Sequence, residues 1–96
     1  MKFEWDEHKN QINIQKHNID FNDAKKVFED AYRTDEIDNR KDYGEERRKT
    51  VGNVLNNITA VIYTLRTPAI RLISARRANT KEKNEYILNH QNKDEN

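Results

Sequence analysis

Three runs rich in β-branched residues, RRKTVGNVL (47–55), ITAVIYTLR (58–66) and AIRLISAR (69–76), follow one another with only Asn56-Asn57 and Thr67-Pro68 between them. Gaps of two residues permit only antiparallel neighbours, because a parallel return needs a crossover of roughly a dozen residues or more. Asparagine tolerates the positive φ of a tight hairpin, and proline suits a turn. The spacing therefore predicts an antiparallel meander. ITAVIYTL, the most continuously apolar run, is its expected central strand.

The flanking sequence reads as helix. KFEW at the amino terminus alternates polar and apolar residues and fits a short strand. Asp6 then stands as N-cap to EHKNQINIQKH, and Asn18 can take the left-handed conformation that ends a helix. Asp20 caps a second helix, in which Phe21, Ala24, Val27 and Phe28 follow helical spacing and Asp23 suits the helix dipole. From Asp30 to Glu46 the chain is polar and predicts an exposed connection, with room for an edge strand near RTDEI. Asn79 and Glu82 have capping-box spacing before KEKNEYIL, a third helix whose Tyr86 can pack back on the sheet. The expected architecture is α+β in two layers: two N-terminal helices, an antiparallel sheet of three to four strands, and a C-terminal helix. We expect one domain over 1–90 and a polar, frayed tail over 91–96.

Composition narrows the chemistry. The chain has no cysteine, which removes disulfides, thiolate zinc sites and cysteine nucleophiles. It holds two glycines, too few for a glycine-rich nucleotide loop. His8, His17 and His90 lack metal-ligand spacing, so no metal and no cofactor is expected. No apolar run approaches a membrane span and the amino terminus lacks a signal-peptide core, so the expectation is a cytoplasmic protein without membrane contact. Charge is divided along the chain: residues 1–46 hold eight Lys and Arg against thirteen Asp and Glu, and residues 47–96 hold ten against four. Between 47 and 83 nine basic residues face one acid, Glu82. Such a basic stretch suits a polyanion, though it equally suits a solubilising surface.

Three constellations stand out. Arg66, Arg71, Arg76 and Arg77 lie on or beside the last two strands, and Arg47, Arg48 and Lys49 on the strand before. Strand parity puts Arg71, Ile73, Ala75 and Arg77 on one face, with Ile70, Leu72, Ser74 and Arg76 on the other. One of the paired arginines can then be held by an acid such as Glu4 or Glu46 while the other meets ligand. Lys9, Asn13, Lys16 and His17 form a stripe on the first helix, where a histidine able to trade protons sits beside two cations. The plainer reading is a solvated helix face with His17 complementing the dipole. Glu45-Glu46-Arg47 offers a carboxylate base beside a guanidinium, or only an ion pair.

Taken together, FEWDEHKNQINIQKHNIDF (3–21), AKKVFED (24–30), GEERRKTVG (44–52) and IRLISARRANTKEKNEY (70–86) resemble, in order and spacing, the BrnT toxins of bacterial type II toxin–antitoxin systems. The resemblance spans Phe3 to Tyr86. It implies a RelE-like fold that cleaves RNA and arrests growth by blocking translation. The implied partner is a BrnA-like ribbon-helix-helix antitoxin, in a heterotetramer of two toxins and two antitoxins that binds operator DNA through the antitoxin and represses its own operon. The family's recurrent polar positions fall on Glu4, Trp5, Asp6, Lys9, Asn13, Lys16, His17, Glu46, Arg47, Arg71, Ser74, Arg76 and Arg77. Glu7, Asn18 and Asn79 replace the usual proline, glycine and threonine, and each can still begin, end or cap a helix.

Metal-independent RNA cleavage needs a base for the 2′-hydroxyl proton, cations for the pentacoordinate phosphate and an acid for the departing 5′-oxygen. The candidates are His17 with Lys9 or Lys16 for proton transfer and charge, Arg71 or Arg77 with Arg76 as phosphate clamp, and Glu46 as an alternative base. Arg47 and Arg66 are candidate RNA contacts. Trp5 and Tyr63 can stack a base or fill the core. The competing reading is a catalytically weak binding module that acts as co-repressor with its antitoxin.

Overall fold

The run 58–66 does form the middle of the sheet. In the computed structural model, which describes residues 1–94, the elements are β1 (Lys2–Glu4), α1 (Glu7–His17), α2 (Phe21–Ala24) prolonged by a 3₁₀ turn (Lys25–Glu29), β2 (Thr34–Asp38), β3 (Arg47–Val54), β4 (Asn57–Arg66), β5 (Ala69–Arg77) and α3 (Thr80–Asp94). The strand order is β1-β5-β4-β3-β2. The meander β3-β4-β5 is antiparallel as expected.

The sheet differs from expectation in having five strands and mixed pairing. RTDEI supplies β2 along β3, and KFE supplies β1, which lies parallel to β5 with Phe3 opposite Ile70. A three-residue strand carries too little pattern to reveal its partner; the partner is chosen because Phe3 packs on the core from that edge. The β3–β4 turn is one residue earlier than Asn56-Asn57: Leu55 and Asn56 take positive φ of 49° and 69°, while Asn57 already pairs with Val54. Expected strand parity also fails within β5. Ile62 pairs with Ser74 but Tyr63 with Leu72, leaving Ile73 as an extra residue in a bulge. Leu72, Ala75 and Arg77 therefore share one face, and Arg71, Ser74 and Arg76 share the other.

The principal core lies on the first of these faces, where Phe21, Ala24 and Val27 meet Val61, Tyr63, Leu72 and Ala75. Gly52 lets the 3₁₀ turn approach β3, because a Cβ there would lie 3.0 Å from both Val27 Cγ2 and Arg33 Cβ. α3 packs on the opposite face, against Val51 and Ala60, with Ala78, Ile58 and Tyr86 around them. Helices thus cover both sides at one end of the sheet, so the two expected layers become three there. α3 continues to Asp94, so residues 91–94 of the expected tail are helical; residues 95 and 96 lie outside the described residues. The His90 ring sits 4.0 Å from that of Tyr32.

The capping signals take the expected roles. Asp6 accepts from Lys9 N–H, Asn18 closes α1 with φ 57°, Asp20 accepts from Asn22 N–H, and Asn79 and Glu82 form reciprocal backbone bonds of 2.8 and 2.9 Å. α1 has an unusual inner face. Its buried residues are Asn10 and Asn13, not aliphatics. Asn10 Oδ1 accepts from Phe21 N–H at 2.8 Å, and Asn13 Oδ1 accepts from Ala75 N–H at 3.1 Å while its Nδ2 donates to the Ile19 carbonyl at 2.9 Å. β1 pairs with β5 only as far as Arg71, so the Asn13 amide stands where a strand would otherwise satisfy the β5 edge.

Candidate functional site

Because α1 is fastened to the β5 edge at Ala75, an open groove of about 200 Å³ runs between the helix and the bulge. One wall is the expected stripe, Lys9, Asn13, Lys16 and His17, joined by Ile12; the other is Ile73 and Ser74. Among the described residues the side chains of Lys9, Lys16 and His17 have no hydrogen bond or ion pair. Among the described residues no acid lines the groove. Ser74 belongs also to the face of the sheet that carries Arg71 and Arg76, so groove and sheet face are continuous through it.

That face gathers most of the strand cations. Alternation through the paired residues puts Arg47 and Lys49 of β3, Arg66 of β4, and Arg71 and Arg76 of β5 on it, while Arg48 and Arg77 point to the other side. α3 covers only the Arg76 end. Arg71 is anchored by one nitrogen, Nη1 to Glu4 Oε2 at 2.7 Å, which orients the guanidinium and leaves its other donors without a partner among the described residues. Arg66 lies half exposed, 3.5 Å from Glu45. Arg47 packs its guanidinium 4.1 Å above the Tyr43 ring, and its Nε is buried without a hydrogen-bond partner.

The paired arginines are divided between the faces, as strand geometry requires of neighbours. Arg76 is bound through both terminal nitrogens to Glu82, at 2.7 and 2.9 Å, and Lys49 Nζ reaches the same carboxylate at 2.8 Å. Burial by itself would raise the Glu82 carboxyl; the bonds from Arg76, Lys49 and Asn79 N–H outweigh it and hold the group at about 2. The Arg76 guanidinium is in turn held charged by Glu82. The acid that engages Arg76 is therefore neither Glu4 nor Glu46. Arg76 is a tie between sheet and α3 rather than an open phosphate clamp. Arg77 is exposed and donates to Asn57 Oδ1 at 2.5 Å beside the end of α1.

Two aromatic candidates occupy core positions. Tyr63 is 4% exposed, its ring meets Phe28 edge-on at 5.0 Å and its hydroxyl donates to Asp35, so no face is available to a base. Burial, then the Asp35 carboxylate, pushes its phenol pKa up. Trp5 is half-buried edge-on to Phe21, with Nε1 donating to Glu7 at 3.1 Å. Glu46 is largely exposed; its side chain lies 3.7 Å from Arg48, which points to the α2 side, and its carbonyl accepts from Thr64. This orientation turns Glu46, the alternative base, away from the groove. Among the described residues no three His, Asp or Glu side chains converge as a metal-ligand set.

A family model described as "Ribonuclease toxin, BrnT, of type II toxin-antitoxin system" matches residues 5–82, most of the chain and every element that builds the groove. The chain belongs to the BrnT family. No curated protein matches it. Type II membership implies an antitoxin partner, and the family's activity is that of a ribonuclease. In this BrnT chain, Ile73 takes a place at the groove, and Lys49, named among the strand cations, takes a partner, that the sequence did not disclose. Ile73 is aimed by a bulge that strand alternation conceals. Lys49 was legible as a strand cation two residues from Arg47, but its partner Glu82 read only as a helix cap.

Proposed function

We propose that the chain is an endoribonuclease toxin that cleaves RNA without a metal ion, in the groove between α1 and β5. The observation that carries this reading is the set Lys9, Lys16 and His17, whose side chains make no hydrogen bond or ion pair among the described residues, facing Ser74 at the point where the groove opens onto the arginine face. Elsewhere in the fold most strand cations are already matched to acids.

The chemistry is an in-line attack of a ribose 2′-oxygen on the adjacent phosphorus, giving a 2′,3′-cyclic phosphate and a free 5′-hydroxyl. His17 is placed to exchange the proton of the attacking or departing oxygen. Lys9 and Lys16 supply positive charge to the pentacoordinate phosphate, and Arg71, already oriented by Glu4, offers its remaining donors to an equatorial oxygen. Arg66 and Arg47 extend the cationic surface along the strand. Arg77 at the far end of α1 is the remaining candidate clamp. The product is growth arrest through loss of translated RNA in the cytoplasm. Family membership supports the partner: a BrnA-like ribbon-helix-helix antitoxin in a 2:2 assembly, which alone contacts operator DNA.

The test is cleavage of RNA by the purified chain in excess chelator, with products run beside a 2′,3′-cyclic phosphate standard. Cleavage is expected to persist, and His17→Ala to lower it by about 10²- to 10⁴-fold, the usual worth of a positioned acid–base. Intact RNA with the wild-type chain, together with normal growth on inducible expression, would instead support the co-repressor reading.

A further inference from the structure

We propose that the α1–β5 groove accepts only single-stranded RNA, with one unstacked base resting between Ile12 and Ile73 and the flanking phosphates on Lys9 and Lys16. The inference rests on the groove being the RNA site, and it adds what form of RNA enters and how it is seated.

The order of side chains along the groove carries the argument. Lys9 and Lys16 are seven residues apart on one helix, about 10.5 Å along its axis, a span that their flexible four-carbon stems can close onto the two phosphates on either side of one base. Between them lies Ile12, which is 38% exposed although, Ile14 apart, every other residue of the helix is polar. Facing it is Ile73, the extra residue of the β5 bulge. In regular pairing this position would alternate onto a sheet face; the bulge directs it to the groove instead, a common use of bulges beside functional sites. The groove thus presents cation, apolar wall, cation.

A single RNA strand presents phosphate, base, phosphate in the same alternation. An A-form duplex does not, because its bases are stacked inside and it shows a protein mainly phosphates and 2′-hydroxyls. Two isoleucines would contribute nothing to a duplex and would be desolvated to no gain by a free polyphosphate. The space of about 200 Å³ admits a base rather than a base pair. His17, the residue after Lys16, then lies against the phosphodiester next to the seated base, where the proposed attack occurs.

The experiment measures binding apart from cleavage, using the full chain and a short RNA whose 2′-oxygens are methylated so that no nucleophile is available. Fluorescence anisotropy compares that strand alone with the same strand annealed to its complement. The single strand is expected to bind at least tenfold more tightly at equal salt. Ile12→Ala and Ile73→Ala are expected to weaken it about threefold to tenfold while leaving the slope of log affinity against log salt unchanged. Lys9→Ala and Lys16→Ala are each expected to reduce that slope by about 0.7, one phosphate contact on a single strand. Equal affinity of the unaltered chain for single strand and duplex overturns the proposal, as does unchanged affinity in both isoleucine variants. Loss of cleavage in His17→Ala with no strand preference would sink this inference alone. Strand-selective binding with cleavage indifferent to His17 would sink the proposed chemistry alone.

Discussion

Arg76 and Glu82 form a two-point ion pair between the end of β5 and the first turn of α3, with Nη1 to Oε1 at 2.7 Å and Nη2 to Oε2 at 2.9 Å. Glu82 is 2% exposed, and it also accepts from Lys49 and from Asn79 N–H. One carboxylate thus joins two strands and a helix cap, so neutralising it leaves Arg76 without its acid and Lys49 with Glu36 alone. We expect Glu82→Gln to destabilise the chain by about 3 kcal/mol, the lower end of the range for deleting one member of a buried pair, read from urea unfolding.

The same carboxylate predicts an acid dependence with a definite sign. Its folded-state pKa of about 2 lies below the unfolded value of 4.5, so its contribution to stability is complete above roughly pH 5 and is lost as pH falls toward 2. Unfolding free energy measured from pH 5 down to pH 2 should fall less steeply in Glu82→Gln than in the wild type. Parallel curves would remove Glu82 as the main acid-sensitive group.

The two neighbouring arginines should behave differently. Arg76→Ala breaks the Glu82 pair and is expected to lower the melting temperature, whereas Arg77→Ala removes an exposed side chain bonded to Asn57 and should change stability by no more than about 0.5 kcal/mol. Loss of cleavage in Arg77→Ala would therefore report on RNA directly. A double variant would confound the two effects, and thermal melts of the single variants will show this.

Asn13 fixes the groove by satisfying both Ala75 N–H and the Ile19 carbonyl. Asn13→Ala would leave both buried backbone groups without partners, at a cost of about 1–3 kcal/mol each at most. We expect a lowered urea midpoint and, because α1 is no longer held at the β5 edge, a larger loss in cleavage than in stability-matched variants distant from the groove.

Tyr63→Phe tests the core assignment of that ring. The hydroxyl bond to Asp35 is lost, but Asp35 retains Arg33 and Arg48 at 2.7 Å each, so the cost should be about 1 kcal/mol with RNA affinity unchanged. A drop in RNA affinity at constant stability would return Tyr63 to the binding surface.

Much of this fold was legible because its signals are local. The strand runs, the caps at Asp6, Asn18, Asp20 and Asn79, and the stripe of Lys9, Asn13, Lys16 and His17 depend on the preferences of single residues and on helical spacing, which neighbours in sequence reveal. The family, too, could be read from motifs spread over 3–86. Local rules misplaced the β3–β4 turn by one residue because Leu55, a residue that seldom takes positive φ, does so there.

The sequence alone thus determined the α+β class, the order of elements and the groove's helical wall. Tertiary structure decided which charges are available to a ligand. Arg71 with Glu4, Ala75 with Asn13 and Tyr63 with Asp35 are joined across 67, 62 and 28 residues, and no local preference encodes such a choice of partner. The bulge at Ile73 is a second such decision, since one extra residue reverses strand parity and moves Arg71 away from the face of Arg77. The physical reason is common to both. Pairing and register are set by the simultaneous packing of distant segments, whereas caps and periods are set by the chain's own geometry.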